Sequence, residues 1–241
     1  MAVATLKDQR VVIIGGSSGM GYAVAEGALA EGAKVVVASS DRARVDAAVA
    51  RLGAGASGGG IDVTDEAGVA AFFAGVGGFD HLVFTAGEAG LGRAPGPVAE
   101  LDFAAAKDGT NVRFWGALMA VKHALGVISA RGSITLTDGV LAHLPIKGMP
   151  LATAFGGAVE HLVKGLAVDL APIRVNSVCP GLVMTERLAG WPAERIQQMT
   201  ARLPLPRAAE PAEVAQAFLY LMKGGYTTGQ VVVVDGGATL V

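Results

Sequence analysis

An apolar β-branched run, Val11-Val12-Ile13-Ile14, leads without a break into Gly15-Gly16-Ser17-Ser18-Gly19-Met20-Gly21 and then into the alanine-rich stretch Tyr22 to Ala30. A strand that ends on clustered glycines and reopens at once as a helix leaves few folds available. Gly15 permits a tight turn, Gly19 lets the backbone approach a ligand, and Gly21 allows the helix to pack on the strand. The helix start then offers N–H groups and the positive end of its dipole to an anion. Phosphate binding is the expectation, with Ser17, Ser18 and Met20 completing the loop. An ordinary strand-to-helix turn has the same local pattern, so the remaining segments decide.

Similar runs recur between alanine-rich stretches at Lys34–Ala38, His81–Phe84, Gly132–Leu136, Ile173–Val178 and Gln230–Val234. They are apolar on successive residues rather than alternate ones, the pattern of strands covered on both faces. Strand alternating with helix predicts an α/β fold: a doubly wound parallel β-sheet of Rossmann type with helices on both faces. At 241 residues, one domain over 1–241 is expected, because two would each have a small core. Gly53–Gly60 is the one low-complexity patch and reads as a mobile helix-to-strand turn.

Composition narrows the partners. The formal net charge is −2, with charges scattered, so no basic stripe addresses nucleic acid or an anionic membrane. The single cysteine, Cys179, forms no intramolecular disulfide, and no CxxC or Cys/His spacing suggests a metal. Apolar residues make up 52%, yet many are alanine and no run is long enough for a membrane span. The first ten residues lack the basic flank and apolar core of a signal peptide. The expectation is a cytoplasmic protein with a small-molecule substrate and no metal.

The spacing Gly15-x-x-x-Gly19-x-Gly21 resembles that of the short-chain dehydrogenase/reductase family, and the resemblance continues along nearly the whole chain. It includes Asp62-Val63, Thr85-Ala86-Gly87, Ile173-Arg174-Val175-Asn176 leading into Cys179-Pro180-Gly181, and Thr228-Gly229-Gln230 leading into Val234-Asp235-Gly236-Gly237. It implies a nicotinamide dinucleotide. Asp62 and Val63 would hold the adenine, Thr85, Ala86 and Gly87 would lie against the adenine ribose, and Pro180, Gly181, Val183 and Thr185 would embrace the nicotinamide. At the end of the second strand an acidic residue would hydrogen-bond the ribose and repel a 2′-phosphate. Ser39 stands there, with Ser40 and Arg42 available to a phosphate, so NADP is preferred over NAD; Asp41 is the counter-evidence. Family members commonly form dimers or tetramers, here through helices spanning Asn111–Leu125 and Leu151–Leu170, so a homotetramer or dimer is expected.

The same resemblance exposes a gap. Anchored on Ala158-Val159-Glu160 and on Leu166 to Pro172, the family's Tyr-x-x-x-Lys falls on Ala152 and Gly156. Its serine falls on Gly139, just after Asp138, and its asparagine on Arg113, with Asn111 as the other possibility. The tyrosines, Tyr22, Tyr220 and Tyr226, do not precede a lysine by four. A general acid near working pH is still needed wherever charge builds on a substrate. Candidate catalytic residues are Arg113, Asp138, His143 and Lys147. His143 or Asp138 would donate a proton, whereas His143 and Lys147 equally fit a solvated loop pair. Arg113 would bind an acidic substrate or pair with Glu160 or Asp108. Residues 184–205 match the family's substrate lid, and Leu182, Met184, Trp191 and Met199 suggest an apolar ligand. Two functions are expected to compete. One is an atypical oxidoreductase moving hydride to a substrate that needs no tyrosine acid, such as an iminium ion or an activated alkene. The other is a catalytically inactive dinucleotide sensor or oligomer partner.

Overall fold

The structure, a computed structural model, describes residues 5–87 and 96–241. Strands β1 (Arg10–Ile14), β2 (Lys34–Ser39), β3 (Ala56–Gly60), β4 (Phe79–Phe84), β5 (Ile128–Thr137), β6 (Arg174–Pro180) and β7 (Val231–Val234) alternate with helices. The helices are α1 (Gly19–Ala30), α2 (Arg42–Leu52), α3 (Glu66–Val76), α4 (Phe103–Asp108), α5 (Ala117–Ala124), α6 (Pro150–Asp169), α7 (Ala193–Thr200) and α8 (Pro211–Lys223). The strands form one parallel sheet in the order β3-β2-β1-β4-β5-β6-β7. This is the doubly wound α/β architecture that the unbroken apolar runs predict.

Both faces of the sheet are covered. Val12, Ile14, Phe73, Leu82, Phe84, Ile134 and Val163 belong to the core under α3, α5 and α6. Val11, Ile13, Val24, Val37, Phe218 and Leu221 belong to the other, under α1, α2 and α8. Each such side chain contributes roughly 1.5–3 kcal/mol by leaving water. That explains why β1 carries no polar residue from Val11 to Ile14. The strand order reverses between β1 and β4, so the connections leave in opposite directions and open a crevice at the carboxyl ends of these two strands, where such sheets bind ligands.

Gly53–Gly60 requires a correction. Its last five residues are the edge strand β3, paired with β2 from Val35↔Ala56 to Ser39↔Gly60. Small residues are needed because the helices press close: a Cβ on Gly58 would stand 2.5 Å from Val45 Cγ1, and one on Gly59 3.0 Å from Phe72. Backbone pairing with β2, joined by Ser57 Oγ donating to the Val35 carbonyl at 3.3 Å, holds this strand, so it has no apolar signature in the sequence.

Candidate functional site

The glycine loop lies at the switch point. Gly15 (φ +88°) has room for no side chain, since a Cβ would stand 2.5 Å from Ala86 N. Thr85 ties the two strand ends together, its N–H donating to the Ile14 carbonyl at 2.8 Å. At Gly21 a Cβ would collide with the Gly15 carbonyl, so helix packs on strand only because the residue is glycine. Gly19 (φ +52°) faces Thr185, whose Cγ2 would be 3.1 Å from a Cβ there.

Helix α1 also begins differently from its neighbours. Asp41, Asp65 and Asp102 cap α2, α3 and α4 by accepting from backbone N–H groups. Ser18 at the start of α1 makes no side-chain cap, and the first turn holds no acidic residue. The leading N–H groups of α1 are therefore available to an anion. These features fit a dinucleotide pyrophosphate.

Two further cofactor positions acquire partners. Asp62 is exposed, and Thr64 donates to its Oδ1 from both N (2.9 Å) and Oγ1 (2.7 Å), which lowers its pKa and keeps it an acceptor. At the end of β2, Asp41 accepts from Arg44 N at 3.0 Å, so its carboxylate serves as a helix cap. Ser39 Oγ accepts from Asp41 N at 3.2 Å. Arg42 reaches Asp46 at 2.9 Å with both side chains exposed, a pairing worth a few tenths of a kcal/mol and easily exchanged for a phosphate. Val63 is buried, packed against Gly116, while Pro180, Gly181 and Val183 continue from β6.

The segment 184–205 contains a single helical turn (Glu186–Leu188) and α7. Met184 and Met199 are exposed, and the Arg195 guanidinium lies 3.8 Å above the Trp191 ring. Both ends are pinned: Met184 N donates to Ala209 O at 2.8 Å, and Leu205 N to Gly236 O at 3.0 Å.

Ala152 and Gly156, the positions to which the resemblance assigns the family's tyrosine and lysine, and Glu160 follow one another at helical spacing along α6. The neighbouring turn (Val140–Ala142) packs closely on α6, so that a Cβ on Gly156 would stand 2.9 Å from Ala142 Cβ. Arg113 lies on a π-helical turn (Asn111–Gly116) that precedes α5; such turns change the direction of side chains within a helix. Its Nη1 donates to the Asp138 carbonyl at 3.4 Å, and its guanidinium borders Gly87 and Gly139. Neither carboxylate expected for Arg113 is the partner seen in that bond. Asp108 instead accepts from Asn111 Nδ2 at 3.3 Å.

Asp138 follows the last residue of β5 and is 2% exposed. Its Oδ2 accepts from Ser177 Oγ at 3.5 Å, and among the described residues no donor is aligned on Oδ1. Burial pushes its pKa up to about 8, opposed by the Cys179 thiol and Arg113 and reinforced by the facing Glu160 carboxyl. Glu160 is 7% exposed. His143 Nε2 approaches its Oε1 at 2.6 Å, although no donor is aligned on that oxygen. Burial drives the Cys179 thiol well above its usual range, so it stays protonated.

His143, Glu160 and Cys179 bring their ligand atoms within 4.8 Å of one another. Tetrahedral zinc ligands at about 2.0–2.1 Å from the metal stand roughly 3.3 Å apart. The 2.6 Å separation of His143 and Glu160 is shorter than that spacing.

Of the four catalytic candidates, Arg113, Asp138 and His143 converge, and Lys147 lies exposed in the loop beyond them. Sequence reasoning overlooked Glu160 and Cys179 as parts of this cluster. The signal for Glu160 was present, since it lies one turn after Gly156 on the stripe of α6 that faces the sheet. For Cys179 there was none, because a buried cysteine in a strand reads as a small apolar residue.

Comparison with known proteins agrees with this geometry. The family model described as enoyl-(acyl carrier protein) reductase matches residues 15–239. The short-chain dehydrogenase/reductase ucsE of an Acremonium species is 38% identical over 258 residues, covering 98% of this chain and 97% of that protein. A Xanthobacter autotrophicus protein named inactive 2-(S)-hydroxypropyl-CoM dehydrogenase 2 is 35% identical over 243 residues, covering 90% of this chain and 100% of that one. A crystal structure of a small-chain dehydrogenase in complex with NADPH superposes with a TM-score of 0.83 at 34% identity, over 98% of this chain and 100% of that chain. With its sheet order, its glycine loop and end-to-end similarity of this degree, the chain belongs to the short-chain dehydrogenase/reductase family, a family of oxidoreductases.

Proposed function

We propose that this protein is an NADP(H)-dependent reductase that transfers hydride to a small, apolar, already polarised acceptor, an iminium ion or an activated alkene, without a tyrosine acid. The observation that carries this reading is Asp138, a buried carboxyl with its pKa raised to about 8, beside the vacated positions Gly139 and Gly156. A carboxylic acid kept neutral near pH 7 is a proton donor. NADPH or NADH would supply the hydride. Gly15, Ser17, Ser18, Gly19, Met20 and Gly21 would hold the pyrophosphate on the N-terminus of α1, and Ser39, Ser40 and Arg42 a 2′-phosphate. Asp62, Val63, Thr85, Ala86 and Gly87 would seat the adenosine end, and Pro180, Gly181, Val183 and Thr185 the nicotinamide end. Arg113 would stabilise negative charge developing on the acceptor. The segment 184–205 would close over an apolar substrate, and copies would assemble in the cytoplasm as a tetramer or dimer through the α5 and α6 faces.

A fluorescence titration with NADPH and NADH, followed by an NADPH-oxidation screen against enones, imines, iminium salts and ketones, tests this. The expected result is tighter binding of NADPH and turnover of polarised acceptors over plain ketones. A second reading, a dinucleotide-binding protein without turnover, is favoured by the close packing of Ala142 on Gly156, which leaves little room at the position assigned to the family's lysine. It predicts NADPH binding and no oxidation with any acceptor.

A further inference from the structure

Side chains beneath the vacated positions form a row that ends in solvent. Asp138 and Glu160 are buried, while the His143 side chain, at the outer end, is 37% exposed. Asp138 Oδ1 and Glu160 Oε1 lack aligned donors. Leaving such an oxygen buried and unsatisfied is destabilising, and two facing carboxyls cannot both ionise in a dry site. A proton held between them removes both costs. Among the described residues, Ser177 and Cys179 on β6 and Arg113 on the π-helical turn face Asp138, and Asp235 acts on the thiol.

Resting on the reductase reading above, we propose that His143, Glu160 and Asp138 form a proton relay that connects solvent to the reactive pocket, replacing the tyrosine and lysine this chain lacks. With an activated alkene, the acceptor takes a hydride at its β-carbon from the reduced dinucleotide and a proton at its α-carbon from Asp138. Asp138 is reprotonated by Glu160, Glu160 by the His143 imidazolium, and His143 by water. Two electrons and one solvent proton are consumed per turnover. An iminium cation needs only the hydride to give a neutral amine, so its reduction draws nothing from the relay.

That contrast provides the test. NADPH oxidation is measured with a simple cyclic enone and with an N-alkyl cyclic iminium salt, for the wild type, Glu160→Gln and His143→Ala, after a fluorescence titration shows that each variant binds NADPH. The enone rate is expected to fall by about 10²-fold or more in Glu160→Gln, the scale of general acid catalysis, and the ratio of enone to iminium rates to fall with it. In His143→Ala, imidazole added to the buffer should restore the enone rate. An unchanged ratio in both variants, or a His143→Ala defect that imidazole leaves in place, overturns the relay. Reduction of neither acceptor overturns the reductase reading instead. Carboxyl 13C NMR of Asp138 then decides the shared proton without any substrate: a midpoint that drops in Glu160→Gln supports it, and an unchanged midpoint overturns it.

Discussion

Ala142 occupies the room that a longer residue at position 156 would need, its Cβ being 2.9 Å from where a Gly156 Cβ would stand. Space at position 156 is therefore limited by the neighbouring turn as well as by the absence of a side chain. Gly156→Lys is expected to destabilise the fold by about 1–3 kcal/mol, the usual cost of overpacking. Urea unfolding checks this, and adding Ala142→Gly should recover part of the loss. Gly139→Ser is different: the backbone there is extended and the nearest atom to a new Cβ is Arg113 Nη1 at 3.9 Å. Stability of that variant should stay close to wild type.

The architecture was legible because each central strand is apolar on successive residues and each is followed by helix-forming sequence. β3 was not, since Ala56 to Gly60 carry no apolar pattern and depend on β2 and on the close approach of Val45 and Phe72. The assignment of the family's reactive positions to Gly139, Ala152 and Gly156 rests on register alone. What register could not supply was the convergence behind them. Glu160 on α6, Cys179 on β6 and His143 in a loop meet only through tertiary packing, and the depth that raises the Asp138 pKa is a property of the folded chain.

His81 gives a stability prediction independent of any activity. It is buried between β1 and β5 neighbours, with Nδ1 2.8 Å from Ser133 Oγ and Nε2 2.8 Å from Gln9 Oε1. Burial lowers its pKa from 6.5 to about 4, so the unfolded chain binds the extra proton first. Stability should therefore be intact above pH 6.5 and decline as pH falls from 6.5 towards 4, by about 3 kcal/mol in total. Urea midpoints across that range measure it. The decline attributable to this side chain should vanish in His81→Gln, and an unchanged slope in the variant would refute the assignment.

Asp138 has the opposite sign. Its folded pKa lies above the unfolded value of 3.8, at about 8, so the native state holds a proton that the unfolded chain releases. Its contribution is fully present below pH 3.8 and is lost as pH rises towards 8, on the order of 1.4 kcal/mol per pH unit within the window. Asp138→Asn, which cannot ionise, should be more stable than wild type at pH 7.5 and show no such advantage at pH 4. Thermal unfolding at the two values distinguishes a buried acid from one that ionises freely, for which the variant's advantage would not depend on pH.

Arg42 and Asp41 are adjacent in sequence and opposite in the roles proposed for them. Asp41 is committed to capping α2 through Arg44 N, whereas the Arg42 guanidinium is exposed and held only by Asp46 one turn on. A charge-assisted hydrogen bond to a phosphate contributes about 1.5–3 kcal/mol. Arg42→Ala should accordingly weaken NADPH binding about 10- to 100-fold and leave NADH within a few-fold, because only NADPH carries the 2′-phosphate. Asp41→Ala should lower stability by about 1 kcal/mol through loss of the cap while changing the NADPH to NADH ratio little. Parallel fluorescence titrations of both variants with both dinucleotides separate the roles. A ratio that moves with Asp41 and not with Arg42 would place the ribose contact on Asp41 and reverse the cofactor preference.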